Sequence, residues 1–210
     1  MNHPAFVYSA RQLTKSFDGF HPIFPPIDVN VNNGDIIGIT GWNGSGKSTL
    51  MNMLAGILTP QSGTIELCIA DRVIDYEFIP MHIGFIAPYL TVYEDFSPKE
   101  HAQMFCSMSG IAFDEALFDF LIDLTGLYNY QHGMIRTFSS GMKQRVKYVL
   151  AMIRNSPILL LDEPSTNLDE KGQEIFKNII RIHKEHGGGT IIATNEYTET
   201  LLCDSIISLS

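Results

Sequence analysis

Residues 35–56, DIIGITGWNGSGKSTLMNMLAG, restrict the possible folds more than any other stretch of the 210-residue chain. A short apolar run, Ile36 to Thr40, enters a glycine-rich loop from Gly41 to Ser48. An amphipathic stretch, Thr49 to Ala55, follows and stops at Gly56. The spacing fits G-x-x-x-x-G-K-[ST], a phosphate-binding loop, with a strand before it and a helix after it. Gly41, Gly44 and Gly46 let the backbone turn so that consecutive N–H groups aim at phosphate oxygens. Asn43, Ser45 and Thr49 belong to the same binding segment. The positive end of the helix adds its field. Lys47 brings a full charge to the β- and γ-phosphates, and the Ser48 hydroxyl suits Mg²⁺.

A chain of this length holds one α/β domain with a small subdomain. Its 45% hydrophobic content supports a core, and 18% charged residues are too few for a disordered protein. A net charge of −9 and a pI near 5.1 argue against binding nucleic acid or anionic lipid through general electrostatics. Cys68, Cys106 and Cys203 are far apart, so neither a disulfide framework nor a zinc site is expected, and a reducing cytosol is the natural compartment. His183 and His186, near a predicted helix end, read as a solvated terminus rather than metal ligands. No stretch approaches 18 apolar residues, and the first residues lack a basic region followed by an apolar core. The expectation is no direct membrane insertion: any membrane is reached from the cytosolic side, through a partner.

Residues 5–40 read as short strands with turns, including Asp18-Gly19 and Asn33-Gly34. Thr64 to Ile69 and Ile83 to Ile86 are further strand candidates. Ser97-Pro98-Lys99-Glu100 is a capping box that opens a helix to about Met108. Asp114 caps a second helix, Glu115 to about Leu124, and a third begins near Ser140 and ends before Pro157. Ile158 to Leu161 is wholly apolar, as a buried parallel strand is, and Thr190 to Ala193 reads as another apolar strand. A helix from about Glu170 to Lys184 lies between them, and Ile206 to Leu209 reads as a last strand. The strand–helix–strand order predicts a parallel sheet. The helical stretch near 88–140 is then a subdomain inserted in a single unit of 1–210.

Two further motifs carry chemistry. ILLLDEP, Ile158 to Pro164, is an apolar strand ending in two acids. Beside a phosphate loop, Asp162 can hold Mg²⁺ and Glu163 can orient and deprotonate an attacking water. FSSGMKQR, Phe138 to Arg145, is a small-residue loop entering a helix. Its hydroxyls and the Gly141 N–H at a helix start form a second anion site.

In this order the motifs GWNGSGKST, FSSGMKQR, LLLDEP and STNLD (Ser165 to Asp169) cover nearly the whole chain, which resembles the ATP-binding subunit of ABC transporters. The resemblance implies a P-loop NTPase fold: a mainly parallel core sheet, an N-terminal antiparallel β subdomain and an inserted α-helical subdomain. It implies ATP and Mg²⁺ as ligands. It also implies a head-to-tail dimer, homo- or heterodimeric, in which Ser139, Ser140, Gly141 and Gln144 of one subunit cover the γ-phosphate held by Lys47 of the other. Transmembrane permease subunits would convert ATP-driven closure into transport, with this subunit peripheral on the cytosolic face. FSSGMKQR resembles exporters' signatures, and the short chain resembles the compact subunits of haem-exporter-like systems. A soluble ABC ATPase of an assembly system, such as iron–sulfur cluster assembly, and a low-turnover ATP-dependent dimerisation module are the alternatives.

Two positions depart from that family's pattern. Members carry a glutamine after the strand ending in IGF, where this chain has Ala87-Pro88, and a histidine near the end, where it has Asn195. Proline offers no side-chain donor or acceptor, and an amide lacks the charge and proton of imidazole. The expectation is that hydrolysis survives, because Lys47, Ser48, Asp162 and Glu163 are all present, with γ-phosphate sensing altered and turnover open to slowing by Pro88 and Asn195. In the family, adenine stacks on an aromatic side chain before the phosphate loop. Phe17 is the better match and Phe20 the competitor, with core packing the other use for either. Tyr89 to Phe96 corresponds to the region that docks a coupling helix of the membrane partner. Its Tyr and Leu side chains serve equally as interface anchors or subdomain core.

Overall fold

A computed structural model describes residues 2–166 and 168–209; Asn167, in the STNLD loop, lies outside the described residues. The first half runs β1 (Phe6–Thr14), β2 (Ile27–Asn32), β3 (Ile36–Thr40), α1 (Lys47–Leu54), β4 (Ser62–Ile69), β5 (Arg72–Ile74) and β6 (Ile83–Ile86). The second runs α2 (Pro98–Met108), α3 (Glu115–Leu124), α4 (Ser140–Met152), β7 (Ile158–Asp162), α5 (Glu170–Glu185), β8 (Gly189–Ala193), α6 (Tyr197–Thr200) and β9 (Ser205–Ser208).

Two patterning regimes produce two sheets. β1 and β2 alternate, with Phe6, Tyr8, Ala10, Val29 and Val31 inward and, Val7 apart, polar neighbours outward. They join β4 and β5 in an antiparallel sheet of order β2-β1-β4-β5. β7 and β8 are buried at every position, and with β3 they form the middle of a five-stranded parallel sheet, β6-β7-β8-β3-β9. Because strand side chains alternate between faces, Ile158 and Leu160 of β7 join one core with β1 and α1, while Leu159 and Leu161 join another with α2, α3, α4 and α5. The Tyr8 hydroxyl ties the antiparallel sheet to α1 by donating to the Leu54 carbonyl at 2.5 Å.

The helices start where their caps sit. Ser97 and Glu100 form the reciprocal capping box of α2, with the Ser97 N–H donating to Glu100 Oε2 at 2.8 Å. The Asp114 carboxylate accepts from Leu117 N–H at 3.0 Å to open α3. Asp169 does the same for α5 through Gly172 N–H.

Several expectations need correction. α1 begins at Lys47 rather than Thr49, and β9 runs Ser205–Ser208 rather than Ile206–Leu209. β5, α6 and a 3-10 turn at Tyr76–His82 have no counterpart in the sequence reading. His183 and His186 are not a solvated terminus. His183 is 3% exposed, with Nε2 3.1 Å from the Ser156 carbonyl and Nδ1 3.2 Å from the Thr190 hydroxyl. Burial holds its imidazole down to about 4, so it is neutral, donating to Ser156 and accepting from Thr190. His186 is partly buried and donates to the Ile182 carbonyl.

Candidate functional site

The strands β3, β8 and β7 end level with one another. Ala193 pairs with both Ile39 and Asp162. Thr194 N–H donates to Ile39 O at 3.0 Å, and Glu163 N–H to Ala193 O at 2.9 Å. The segments that follow, carrying Gly41, Asn195 and Glu163, therefore leave from one edge of the sheet. That edge is the carboxyl end, where open α/β sheets bind ligands.

Gly46 is the N-cap of α1, with φ of 97° and no side-chain cap, which leaves the first N–H groups of the helix for an anion. A Cβ there would lie 2.6 Å from Ile23, and one at Gly41 would lie 2.5 Å from the Leu209 carbonyl, so both positions demand glycine. Lys47 is 5% exposed, and its Nζ donates to Gly41 O at 2.8 Å and Trp42 O at 3.2 Å. Ser45 is buried, with its hydroxyl unpartnered among the described residues. Asn43, Gly44, Gly46, Lys47, Ser48 and Thr49 line one open cleft of about 510 Å³, completed by Phe17, Ile23 and Glu163. Phe17 is 74% exposed and Phe20 86%, so neither is core, and of the two only Phe17 borders the cleft.

Asp162 is 1% exposed, and neither of its oxygens has a hydrogen-bond partner among the described residues. Burial pushes its carboxyl up; the nearby Ser48 hydroxyl, which falls short of a well-formed hydrogen bond, opposes the rise, the Glu163 charge adds to it and the Lys47 charge opposes it. A buried acid left this way is costly unless a cation completes it. One carboxylate with a neighbouring hydroxyl and phosphate oxygens is the donor set Mg²⁺ prefers, so these residues fit that ion. Glu163 has φ of 46°, left-handed for a side-chain-bearing residue. Such a conformation costs on the order of 1–3 kcal/mol and is held here by the Glu163–Ala193 hydrogen bond. The turn puts two adjacent acids in different surroundings, Asp162 buried and Glu163 in the cleft. Asn195 reaches the phosphate loop, donating through Nδ2 to Asn43 Oδ1 at 2.6 Å.

The signature loop lies elsewhere. Ser139 caps α4 through Met142 N–H at 3.2 Å. The Gly141 carbonyl accepts from Arg145 Nε at 3.4 Å. Ser140 and Gln144 line a different cleft, together with Pro88 and Thr166. Within one chain the two anion-seeking helix starts thus open into different clefts, and Pro88 borders the signature side.

Two contacts escaped the sequence reading. Gln144 Nε2 and the buried Tyr148 hydroxyl both donate to Pro164 O, at 3.1 and 2.9 Å, so α4 holds the turn that carries Glu163. Their separation of four residues was the available signal. Tyr89 Oη donates to Asn52 Oδ1 at 2.5 Å, fastening the segment after β6 to α1. Burial raises the Tyr89 phenol, with the Asn52 bond opposing and the Asp162 charge adding. Asn52, an amide within the apolar run LMNML, was its signal.

A family model described as ABC transporter matches residues 24–166. The ABC transporter ATP-binding protein NatA of Bacillus subtilis is 31% identical over 188 residues, 87% of this chain and 76% of that protein. Two uncharacterised ABC transporter ATP-binding proteins of the same organism, YhcH and YdbJ, are 28% and 31% identical. This chain spans 67% and 62% of their lengths. Among solved structures, an ATP-binding subunit of an ABC transporter superposes with a TM-score of 0.83 at 23% identity, over 96% of this chain and 85% of that one. A dimeric ATP-binding cassette in a post-hydrolysis state gives 0.82 at 22% identity, over 97% and 94%. The fold is that of those cassettes, and the chain belongs to the ABC transporter family.

Proposed function

We propose that the chain is the ATP-binding and hydrolysing subunit of an ABC transporter, one cassette over 1–210 with a helical insertion at about 88–140. One observation carries this reading: Lys47, Ser48 and Glu163 meet in a single cleft beside the unpartnered carboxylate of Asp162. The solved cassette bound to ADP and Pi supports the choice of nucleotide.

In this reading adenine stacks on Phe17, and the backbone N–H groups of Gly44 to Thr49 cradle the phosphates. Lys47 exchanges the Gly41 and Trp42 carbonyls for β- and γ-phosphate oxygens. Ser48 and Asp162 would hold Mg²⁺, whose chemistry is to neutralise charge on the β- and γ-phosphates. Glu163 takes a proton from water as the water oxygen bonds to the γ-phosphorus and the bond to the β-phosphate oxygen breaks. Asn195, already against Asn43, offers an amide donor to the γ-phosphate. With Asn195 in place of an imidazole and Pro88 in place of an amide, turnover is slow.

The separate opening of the signature cleft supports a shared site: Ser139, Ser140, Gly141 and Gln144 of one subunit close over the nucleotide of another. Membrane subunits, working in export, would take up that movement from the cytosolic face. Among the described residues no helix is long and apolar enough to cross a membrane. The test is phosphate release by the purified chain. Mg²⁺-dependent turnover should fall at least about 100-fold in Glu163→Gln, the scale expected when a general base is removed. An unchanged rate would overturn the assignment.

A further inference from the structure

The chain leaves β6 through a turn whose residues serve one side chain. Ile86 pairs with Leu161, so Ala87 comes level with Asp162 at the carboxyl edge of the sheet. Ala87 is fully buried, and its carbonyl accepts from Leu90 N–H at 3.1 Å, which closes a four-residue turn. Pro88 is the second residue of that turn, where its fixed φ is already right, and Tyr89 is the third. The two side chains part there. Pro88 borders the signature cleft, and Tyr89 crosses to α1, where its hydroxyl donates to Asn52 Oδ1 at 2.5 Å.

Asn52 follows Ser48 by one helical turn, so the two share a face of α1. The tilt of helical Cα–Cβ bonds leans the Asn52 amide back towards the Ser48 hydroxyl. Burial raises the Tyr89 phenol and the Asp162 charge adds to the rise, against the Asn52 bond, so the hydroxyl keeps its proton at neutral pH. That proton goes to Asn52, which leaves the phenol oxygen free to accept. Mg²⁺ usually keeps several of its waters, and each bound water is a donor. Tyr89 is 53% exposed, more than a tyrosine used only for packing would be.

We propose that Tyr89 is a positioning residue of the ATPase site: its oxygen, delivered by the Pro88 turn and held by Asn52, accepts a hydrogen bond from a water on the ion that Ser48 and Asp162 hold. The inference rests on the proposed function and adds to it a residue that this chain's own turn supplies. Pro88, with no side-chain donor or acceptor, then acts through its ring, by fixing the turn that presents the neighbouring hydroxyl. A partner of this kind orients the bound water and is worth roughly 10–100-fold in metal affinity.

The test is Mn²⁺ binding to the intact chain with ADP present, followed by electron paramagnetic resonance, in the wild type, Tyr89→Phe, Asn52→Ala and the double variant. Each single change should weaken Mn²⁺ binding about tenfold. The double variant should lose no more, because the two side chains act as one unit. Fluorescence of Trp42, in the phosphate loop, follows metal-free ADP in the same samples, and that titration should be the same in all four. Unchanged Mn²⁺ affinity in Tyr89→Phe, or losses that add in the double variant, would overturn the inference. So would a lower melting temperature as the only effect, which would make the Tyr89–Asn52 bond a fastening and nothing more. Asp162→Asn separates this inference from the reading beneath it. Mn²⁺ binding that responds to Asp162→Asn but not to Tyr89→Phe counts against Tyr89 alone. Binding that Asp162→Asn leaves unchanged overturns the proposed metal site and the role of Tyr89 with it.

Discussion

Asp162 sets stability against use of the site. Its carboxyl is raised in the folded chain, so the folded state holds its proton to higher pH than the unfolded state does. Folding is therefore favoured by this group at low pH, and the benefit is lost as pH rises above the ordinary carboxylate range. Once ionised, the buried acid destabilises the metal-free chain by about 1–3 kcal/mol. Asp162→Asn should raise the melting temperature without Mg²⁺, by about 2–4 °C per kcal/mol regained in a chain of this size, and should abolish Mg²⁺-dependent turnover. A lower melting temperature would mean that the acid is already satisfied. Asn195 makes a second residue-scale prediction. Asn195→His breaks the bond to Asn43 and restores an imidazole, and steady-state turnover should rise several-fold; no change would mean that the amide suffices. The phosphate-loop residues and both strand-end acids were legible because their chemistry tolerates few residue types at fixed spacing. The opposite surroundings of Asp162 and Glu163 were not, because a left-handed φ at a glutamate is imposed by the neighbouring strand.

α4 physically joins the two motif sets. It starts at the signature serines and, about one and two turns on, grips the Pro164 carbonyl with Gln144 and Tyr148. Tyr148→Phe removes one of those donors without a cavity. Turnover should drop severalfold at unchanged Michaelis constant, with a stability loss of about 1 kcal/mol; unchanged turnover would reduce Tyr148 to packing. α5 carries the pH dependence. His183 titrates near 4 in the folded chain against 6.5 unfolded. As pH falls, the unfolded state takes up the proton first, so stability is full above about 6.5 and declines by about 3 kcal/mol towards pH 4. Denaturant midpoints should follow that slope, and His183→Gln should flatten it; an equal slope in the variant would place the titration elsewhere. β7 and β8 could be read directly, since short, largely apolar runs such as Ile158–Leu161 and Ile191–Ala193 have few other uses. The burial of His183 could not: the helix pattern marks its face, but Ser156 and Thr190, which satisfy its ring, come from other segments. β5 spans only three residues, and the turn at Tyr76–His82 contains Pro80, so neither carries a periodic signal.

For the molecule as a whole, both faces of one parallel sheet are covered, and its carboxyl edge presents the phosphate cleft while α4 opens the signature cleft separately. Both clefts are open, and two chains placed head to tail would bring each cleft against its complement. Equal mixing of Lys47→Ala and Ser140→Arg chains tests this most directly. A head-to-tail pair then holds one site built from an intact Lys47 and an intact Ser140, so the mixture should hydrolyse Mg·ATP although neither variant does alone. No recovery on mixing, or wild-type turnover by Ser140→Arg alone, would contradict a shared site.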